Sequence, residues 1–218
     1  MNKINLIRYR PQRIQYAGTV DLCPLDGNIP VLQFINTMRN RGGKQTKEYL
    51  NSYNDFLTWC YEIKIIDQDE YNILDLEQYC YHHEATSILN RVIMAREMLN
   101  ELIHCLITDL PVHEQVIEHF NLITNEANSH LRFEITPYGL QEVWFKTNEE
   151  MAAPLWVIIK QAGDLLQSAD RQCIKKCQCG SLFLDKTKNN KRRWCNPLTC
   201  AATNRARKYY STKKTLSC

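Results

Sequence analysis

Six of the ten cysteines lie within the last 46 residues, and four of them form two close pairs that could bind a metal ion. Cys177 and Cys179 form the first pair, Cys195 and Cys200 form the second, and a short loop separates the two pairs. Such pairs can present four thiolates in the tetrahedral arrangement that Zn²⁺ prefers. Four thiolates complete the coordination shell and leave no position for water. The sequence therefore predicts one structural zinc site, whose metal supplies folding free energy to a small module.

The sequence offers two candidates, Cys177 and Cys173, for the ligand that accompanies Cys179. Cys179 precedes Gly180, which suits a tight turn around a metal-bound sulfur, so we expect Cys179 to be a ligand. One residue separates Cys177 from Cys179, fewer than the usual spacing of about two to four. Three residues separate Cys173 from Cys177, which fits that spacing. We favour Cys177 as the partner of Cys179 and keep Cys173 as the alternative.

Positive charge is concentrated in the same part of the chain as the cysteines. Residues 171–218 hold 13 of the 27 Lys and Arg residues and only one acidic residue, Asp185. The remaining residues carry a net negative charge, although the whole chain has a formal charge of +3. Such asymmetry indicates a polyanionic partner for the basic end. The alternative from composition alone is a tail that only increases solubility.

The rest of the chain contains no recognisable catalytic motif. His113 and Glu114 begin like the helix of a zinc protease, but Ile117 occupies the position of the required second histidine. The sequence has neither a glycine-rich phosphate loop nor the nucleophile elbow of a hydrolase. We therefore predict that the protein is not an enzyme and has no catalytic residues.

The hydropathy pattern argues against a membrane protein. No apolar run approaches the roughly 20 residues that a membrane-spanning helix needs. The segment from Met1 to Arg10 lacks the apolar stretch of a signal peptide. We expect a cytoplasmic protein without a membrane partner, in which clustered cysteines bind metal rather than form disulfides.

Several helices are predicted ahead of the cysteine pairs. Apolar residues at a 3.6-residue spacing predict a long amphipathic helix from Ser87 to Ile107. Capping boxes at Ser52 and Asp55, and at Asp67 and Glu70, predict the starts of two earlier helices, the second extending to about Glu84. The sequence upstream of the cysteine pairs is therefore mostly helical.

Extended segments are predicted in two places. Alternating apolar and polar residues on either side of a turn at 136–139 predict a β-hairpin, and residues 4–22 also look extended. A last helix to about Ser168 then leads to the basic end. We predict an α+β fold with a mostly helical N-terminal domain, residues 1–170, that includes a small antiparallel hairpin. A small C-terminal zinc-finger domain, residues 171–218, follows.

The residues around the cysteines also resemble a known family. The run Cys179-Gly180-Ser181-Leu182-Phe183-Leu184-Asp185, a basic loop, and then Arg192-Arg193-Trp194-Cys195 with Cys200 are similar to the CGNR zinc-finger family of bacterial proteins. In that family the finger follows an N-terminal domain called ABATE. The segment Leu32-Gln33-Phe34-Ile35-Asn36-Thr37 resembles the Asp-Phe-Val-Asn-Thr segment of that domain.

The resemblance implies a stress-induced transcription regulator with a regulatory or sensor N-terminal domain. One departure concerns the motif that names the family. The chain has Cys200-Ala201-Ala202-Thr203-Asn204-Arg205, so the glycine is missing and Asn-Arg is displaced by two positions. This departure affects the expected backbone turn after Cys200.

The residues after Cys200 are good helix formers, and on a helix Asn204 and Lys208 would share one face. A short basic helix held by zinc beside a basic loop is a plausible reader of DNA, since Arg and Lys neutralise phosphates and Arg reads guanine. The predicted nucleic-acid contacts are Arg192, Arg193, Asn204, Arg205, Arg207 and Lys208.

The sequence thus favours a zinc-dependent DNA-binding transcription regulator. The alternative is a zinc-stabilised module for protein–protein interaction that does not bind nucleic acid. A homodimer is plausible, because one small finger offers few base contacts and a two-fold pair doubles them. No effector can be named. Asn36, Thr37, Arg39 and Arg41 could line a polar pocket, or Asn36 and Thr37 could be buried residues that bond backbone groups.

Overall fold

The computed structural model describes residues 29–41, 46–145 and 150–206. The predicted extended segment 4–22 lies outside these residues. The helices are α1 (Pro30–Ile35), α2 (Tyr53–Glu62), α3 (Gln68–Cys80), α4 (His82–Ile107), α5 (Glu114–Ser129), α6 (Ala153–Gln167) and α7 (200–206). The strands are β1 (Met38–Arg39), β2 (Lys47–Glu48), β3 (Leu131–Thr136), β4 (Gly139–Trp144), β5 (Ile174–Lys176) and β6 (Leu182–Leu184).

The strands of the described residues form three separate two-stranded antiparallel sheets, β1–β2, β3–β4 and β5–β6. All other regular structure in these residues is helical, so the predicted α+β class with a mostly helical N-terminal part and a small hairpin is confirmed. No helix in the described part of the chain is both long and apolar enough to cross a membrane.

Both predicted capping boxes form. The Ser52 hydroxyl accepts a hydrogen bond from the backbone of Asp55 at 3.1 Å, and the Asp55 carboxylate accepts one from the backbone of Ser52 at 2.9 Å. Asp67 and Glu70 exchange the equivalent bonds at 2.9 Å each. These reciprocal bonds satisfy N–H groups that the first turn of a helix leaves without partners, and they fix where α2 and α3 begin.

The long central helix begins earlier than the sequence suggests. Tyr81, with φ −124° and ψ 54°, ends α3 and precedes α4, so residues 82–84 belong to α4 rather than to the preceding helix. Val92, Ala95 and Leu99 on the predicted stripe are fully buried. Leu106, also predicted to lie on the stripe, is 45% exposed.

The main core lies where α1, α4 and α6 meet. Five of the six residues of α1 are buried, including the polar residue Gln33. Phe34 of α1 contacts the rings of Phe56 and Trp59 on α2, with centroids 6.4 and 5.6 Å apart. Helix α1 is thus packed in the main core, and Asn36 and Thr37 follow it directly and are also buried.

A buried ion network fixes the segment after α1. The guanidinium of Arg96 on α4 is fully buried and donates two parallel bonds of 2.6 Å to the carboxylate of Glu48 on β2. Arg96 also donates to Glu97 at 2.8 Å and to the Thr37 hydroxyl at 3.1 Å. Arg41 donates to the other oxygen of Glu97 at 2.9 Å. Thr37 is therefore a buried residue whose hydroxyl accepts a hydrogen bond from Arg96 and donates one to the Phe34 carbonyl.

Burial raises the pKa of the Glu48 carboxyl, but its hydrogen bonds with Arg96 and with backbone N–H groups outweigh that effect. Burial also raises the pKa of the Glu97 carboxyl. The hydrogen bonds and charges of Arg41 and Arg96 lower this pKa by more than burial raises it, and Arg41 contributes most. Both pKa values lie below the ordinary value of a glutamate. The two carboxylates are therefore ionised at neutral pH and compensate the buried guanidinium.

Candidate metal centre and its basic surroundings

The first cysteine pair lies on the turn between β5 and β6. Lys176 pairs with Leu182 in the register of this hairpin, which places Cys177 at the end of one strand and Ser181 at the start of the other. The Cys177 backbone donates to the Ser181 carbonyl at 2.8 Å, and the Gly180 backbone donates to the Cys177 carbonyl at 2.8 Å. Gly180 has φ +90°, a conformation that a residue with a side chain adopts only with strain.

The second cysteine pair surrounds the start of helix α7. The Asn196 side chain accepts hydrogen bonds from the backbones of Leu198 and Thr199, at 2.8 and 3.3 Å, and shapes the turn before the helix. Cys200 is the first helical residue. Ala201, in place of the family's glycine, is helical and donates to the Asn196 carbonyl at 3.2 Å. Residue 201 therefore lies inside the helix, and the Asn196 side chain shapes the turn before it.

Four sulfur atoms converge between the hairpin and the helix, those of Cys177, Cys179, Cys195 and Cys200, all within 4.8 Å of one another. The sulfur of Cys195 is 3.6 Å from that of Cys179 and 3.4 Å from that of Cys200. A tetrahedron of thiolates around zinc, with Zn–S distances of about 2.3 Å, has sulfurs about 3.8 Å apart. All four cysteines are free thiols rather than disulfides, so the cluster fits one zinc ion.

The alternative ligand lies elsewhere. Cys173 packs against the main core of the molecule and is outside the sulfur cluster. Its carbonyl accepts a hydrogen bond from the Asp185 backbone at 2.8 Å, which continues the β5–β6 pairing. The structure thus brings Cys177, and not Cys173, to the other three sulfurs.

The close approach of the sulfurs shifts the pKa values of two of the thiols in opposite directions. Hydrogen bonds with Cys195 and Ser181 lower the pKa of Cys179 to about 4 against the effect of burial. Burial and the nearby Cys179 and Cys177 raise the pKa of Cys200 to about 11. Neighbouring thiols resist joint ionisation because each thiolate repels the next, and a divalent cation at their centre removes that penalty.

Phe183 and Trp194 form an apolar cover over the sulfurs. Phe183 is fully buried and packs with Cys177 and Cys195, and Trp194 packs against the same cluster. The guanidinium of Arg192 lies over the Phe183 ring, 4.9 Å from its centroid. Arg192 also donates to the carbonyls of Trp194, at 2.8 Å, and of Cys195. The sequence predicts a DNA contact at Arg192, and the structure shows that this half-buried side chain also holds the finger together.

Asp185, the single acidic residue of the basic end, anchors the loop between the cysteine pairs. Its buried carboxylate accepts bonds of 2.8 Å from the Lys175 ammonium and from the Arg192 backbone. Thr187 donates through its hydroxyl at 2.6 Å and through its backbone at 3.1 Å. Burial opposes ionisation, but these donors outweigh it and hold the pKa of Asp185 well below the ordinary value.

Strand β6 joins the metal centre to the helical body. Leu182 and Leu184 point into the main core, whereas Phe183 between them points toward the sulfurs. The Asn36 amide, directly after α1, donates to the Leu182 carbonyl at 2.8 Å and accepts from its N–H at 2.9 Å. Asn36 therefore bonds backbone groups, as the second of the two sequence interpretations proposed. No sequence signal identified Leu182 as its partner.

The other predicted nucleic-acid residues lie in different environments. Arg193 and Arg205 are exposed. Asn204 is half-buried and donates from its side chain to the Gln178 side chain at 2.8 Å, which ties α7 to the first cysteine turn. Arg207 and Lys208 lie outside the described residues.

A mostly helical body followed by a finger with four converging thiols defines a protein with a structural zinc site. A family model for the CGNR zinc finger matches residues 171–213. A second model, ABATE, described as "Putative stress-induced transcription regulator", matches residues 28–169. The chain belongs to the ABATE family and carries a CGNR zinc finger. Among curated proteins, none matches the chain. Neither family description names a catalytic activity.

Proposed function

We propose that this protein is a transcription regulator whose zinc-ordered finger binds DNA. The observation that carries the proposal is the charge of residues 171–218, where 13 basic residues accompany one acidic residue. That acidic residue, Asp185, is buried and bonded inside the finger, so it does not neutralise the surface. Membership of a family of transcription regulators supports DNA as the polyanion.

The cations of the finger divide into two groups. Lys175 and Arg192 are half-buried and serve the fold through Asp185 and the carbonyls near Cys195. The cations exposed in the described part of the finger are Arg171, Lys176, Lys186, Lys188, Lys191, Arg193 and Arg205. Exposed Lys and Arg side chains neutralise phosphates, and binding by them weakens steeply as salt rises.

The zinc site positions two parts of this basic surface. Cys195 lies directly after Arg193 and Trp194, and Cys200 begins the helix that carries Arg205. A metal bound by both cysteines therefore fixes the loop and the helix relative to each other. We propose Arg193 and Arg205 as phosphate or base contacts, with Arg207 and Lys208 adding to them from further along the chain. Asn204 contributes by holding α7 against Gln178.

The helical body is proposed to regulate the finger. It contacts the finger directly through Asn36 and through the leucines of β6, so a change in the position of α1 reaches the finger through two hydrogen bonds. A DNA-binding regulator must reach the chromosome, so we propose that the protein is located in the bacterial cytoplasm. Catalysis is not part of the proposal.

The test is fluorescence anisotropy of a labelled duplex with the zinc-loaded chain across a series of salt concentrations. The double variant Arg193→Gln/Arg205→Gln is compared with the control Lys64→Gln, which removes one exposed cation from the body. We expect the logarithm of affinity to fall more gently with the logarithm of salt in the double variant, by about 0.9 for each phosphate that it no longer neutralises. The control should match the native chain. Equal slopes in all three proteins, or no binding at low salt, would favour the protein-interaction alternative.

A further inference from the structure

The hairpin of β3 and β4 exposes apolar side chains that a folded domain normally covers. Phe133 is 69% exposed, Ile135 90% and Leu140 67%. The register places Ile135 opposite Leu140 and Phe133 opposite Glu142, so these side chains share one face of the hairpin. A two-stranded sheet is marginal in water, and an exposed apolar face normally marks an interaction surface.

The edge of β3 that faces away from β4 carries backbone groups of the same residues. In the described part of the chain β3 pairs with β4 alone. The Phe145 backbone donates to the His130 carbonyl at 2.8 Å, and hydrogen-bonded pairs alternate along an antiparallel ladder. Residues 132 and 134 therefore direct their backbone groups toward β4. Leu131, Phe133 and Ile135 direct theirs toward the open edge, where another strand can pair with them.

We propose that two copies of this chain pair through β3, antiparallel and about a two-fold axis at Phe133. This pairing makes a four-stranded sheet from two hairpins. Phe133 lies opposite Phe133 of the second copy, and Leu131 lies opposite the second copy's Ile135. The outward backbone groups of these residues form the hydrogen bonds, so every member of the new ladder is one that the hairpin leaves available.

The charges of β3 indicate that the strand pairing with its outer edge is β3 of a second copy of this chain. Arg132 and Glu134 lie on the face opposite the apolar one, one residue to either side of Phe133. A two-fold axis at Phe133 places Arg132 of each copy opposite Glu134 of the other. These two ion pairs occupy the positions of the ladder that are not hydrogen-bonded, where facing side chains approach most closely. The strand is thus complementary to itself in both apolar pattern and charge.

Strand β4 lacks this property. Its outward residues are Leu140, Glu142 and Trp144, so a two-fold axis at the middle one would place Glu142 opposite Glu142 of the second copy. Like charges directly opposite each other destabilise a strand pair. The geometry therefore selects β3 as the edge that pairs. The interface is isologous, as expected for a two-fold dimer, and does not depend on whether the finger binds DNA.

The test measures the mass of the zinc-loaded full chain by sedimentation equilibrium over a range of concentrations. Arg132→Glu and Glu134→Arg each place two like-charged pairs across the interface. Each should weaken the dimer about tenfold to a hundredfold, since two cross-strand pairs change from attraction to repulsion. The control Glu118→Arg reverses an exposed charge on α5 and should leave the dimer unchanged.

Two experiments that should restore the dimer distinguish loss of strand pairing from misfolding of the single variants. The double variant Arg132→Glu/Glu134→Arg should dimerise again, although it lacks the interaction between Arg132 and the Phe145 ring. An equimolar mixture of the two single variants should form a heterodimer, because each copy then presents the charges that the other needs. A native chain that is monomeric, as it would be if residues 1–28 covered the hairpin, would overturn the proposal. The proposal would also be overturned if neither single variant weakened the dimer. The same holds if neither the double variant nor the mixture recovered dimerisation.

Discussion

The side-chain amide of Asn36 is paired with the backbone of Leu182, 146 positions further along the chain, by hydrogen bonds of 2.8 and 2.9 Å. Asn36 is almost completely buried. An amide that donates and accepts on the same residue acts like an extra strand on the edge of β6. The finger and the helical body are therefore joined by polar pairing as well as by the leucines of β6.

Replacing the amide of Asn36 tests this connection. In Asn36→Asp an oxygen replaces the NH₂ group and faces the Leu182 carbonyl, so one hydrogen bond is removed and two acceptors repel each other. We expect a decrease of about 1–3 kcal/mol in unfolding free energy, the cost of an unsatisfied buried polar group. Urea unfolding measures it. The control Asn72→Asp, on the exposed face of α3, should change stability by less than about 0.5 kcal/mol. Equal effects of the two substitutions would contradict the role of Asn36.

Metal removal should weaken the body as well as the finger. If the finger folded independently of the body, Cys195→Ser would unfold the finger and spare the body. The packing changes this expectation, because Phe183 contacts the sulfurs while Leu182 and Leu184 complete the main core. We predict that chelation lowers the unfolding temperature of the body by about 2–8 °C, the shift expected for about 1–2 kcal/mol in a chain of this size.

Tryptophan fluorescence can follow the body separately. Trp194 is the one tryptophan of the finger, so Trp194→Phe leaves only tryptophans of the body as reporters. Thermal unfolding of this variant is then compared with and without a chelator. An unchanged transition would mean that the finger and the body fold independently.

The buried arginine network predicts a dependence of stability on pH. The pKa values of Glu48 and Glu97 lie below the ordinary glutamate value in the folded chain. Such groups stabilise the fold above their unfolded pKa, and the contribution is lost as the pH falls through the folded pKa. Relative to Glu48→Gln, the native chain should therefore lose stability as the pH falls below about 4.5.

Comparing the two chains removes the contribution of the metal, since protonation releases zinc from both alike. Denaturant midpoints at several pH values measure the difference. A difference in stability that stays constant from neutral pH to about pH 3, below the ordinary glutamate pKa, would show that Glu48 is not held ionised by Arg96.

Asp185 should control the affinity of the finger for zinc without touching the metal. Its carboxylate holds Lys175, Thr187 and the Arg192 backbone, and so fixes the loop that leads to Cys195. Asp185→Asn should weaken zinc binding by about 10- to 100-fold, as outer-shell substitutions typically do. Competition with a chromophoric chelator measures this. Asp170→Asn, which removes an exposed ion pair with Lys186, is the control and should bind zinc normally.

The features that the sequence predicted correctly are those determined by residues close together in the chain. The capping boxes of α2 and α3, the β3–β4 hairpin and the cysteine pairs depend on residues a few positions apart, so their signals are local. The start of α4 was predicted less well, because Tyr81 carries no strong signal for interrupting a helix. The existence of one zinc site followed from the spacing and chemistry of the cysteines.

The remaining features depend on residues distant in sequence. Arg96 looks like a surface residue of an amphipathic helix until Glu48 and Thr37 are brought to it by the fold. The structural role of Arg192 also depends on the fold, because the Cys195 carbonyl and the Phe183 ring contact its guanidinium. Charge alone cannot separate an arginine that holds the finger together from one that faces solvent.

The most direct test of the central claim is whether DNA binding requires the zinc-ordered finger. Anisotropy of a labelled duplex at low salt is measured with the zinc-loaded chain, with the chelated chain and with Cys195→Ser. We predict binding by the first protein, a loss of affinity in the other two, and recovery when zinc is returned to the chelated chain but not to the variant. Equal binding by all three would contradict the claim, since the basic residues would then act as an unstructured charged tail. Absence of binding by the zinc-loaded chain would remove DNA as the partner.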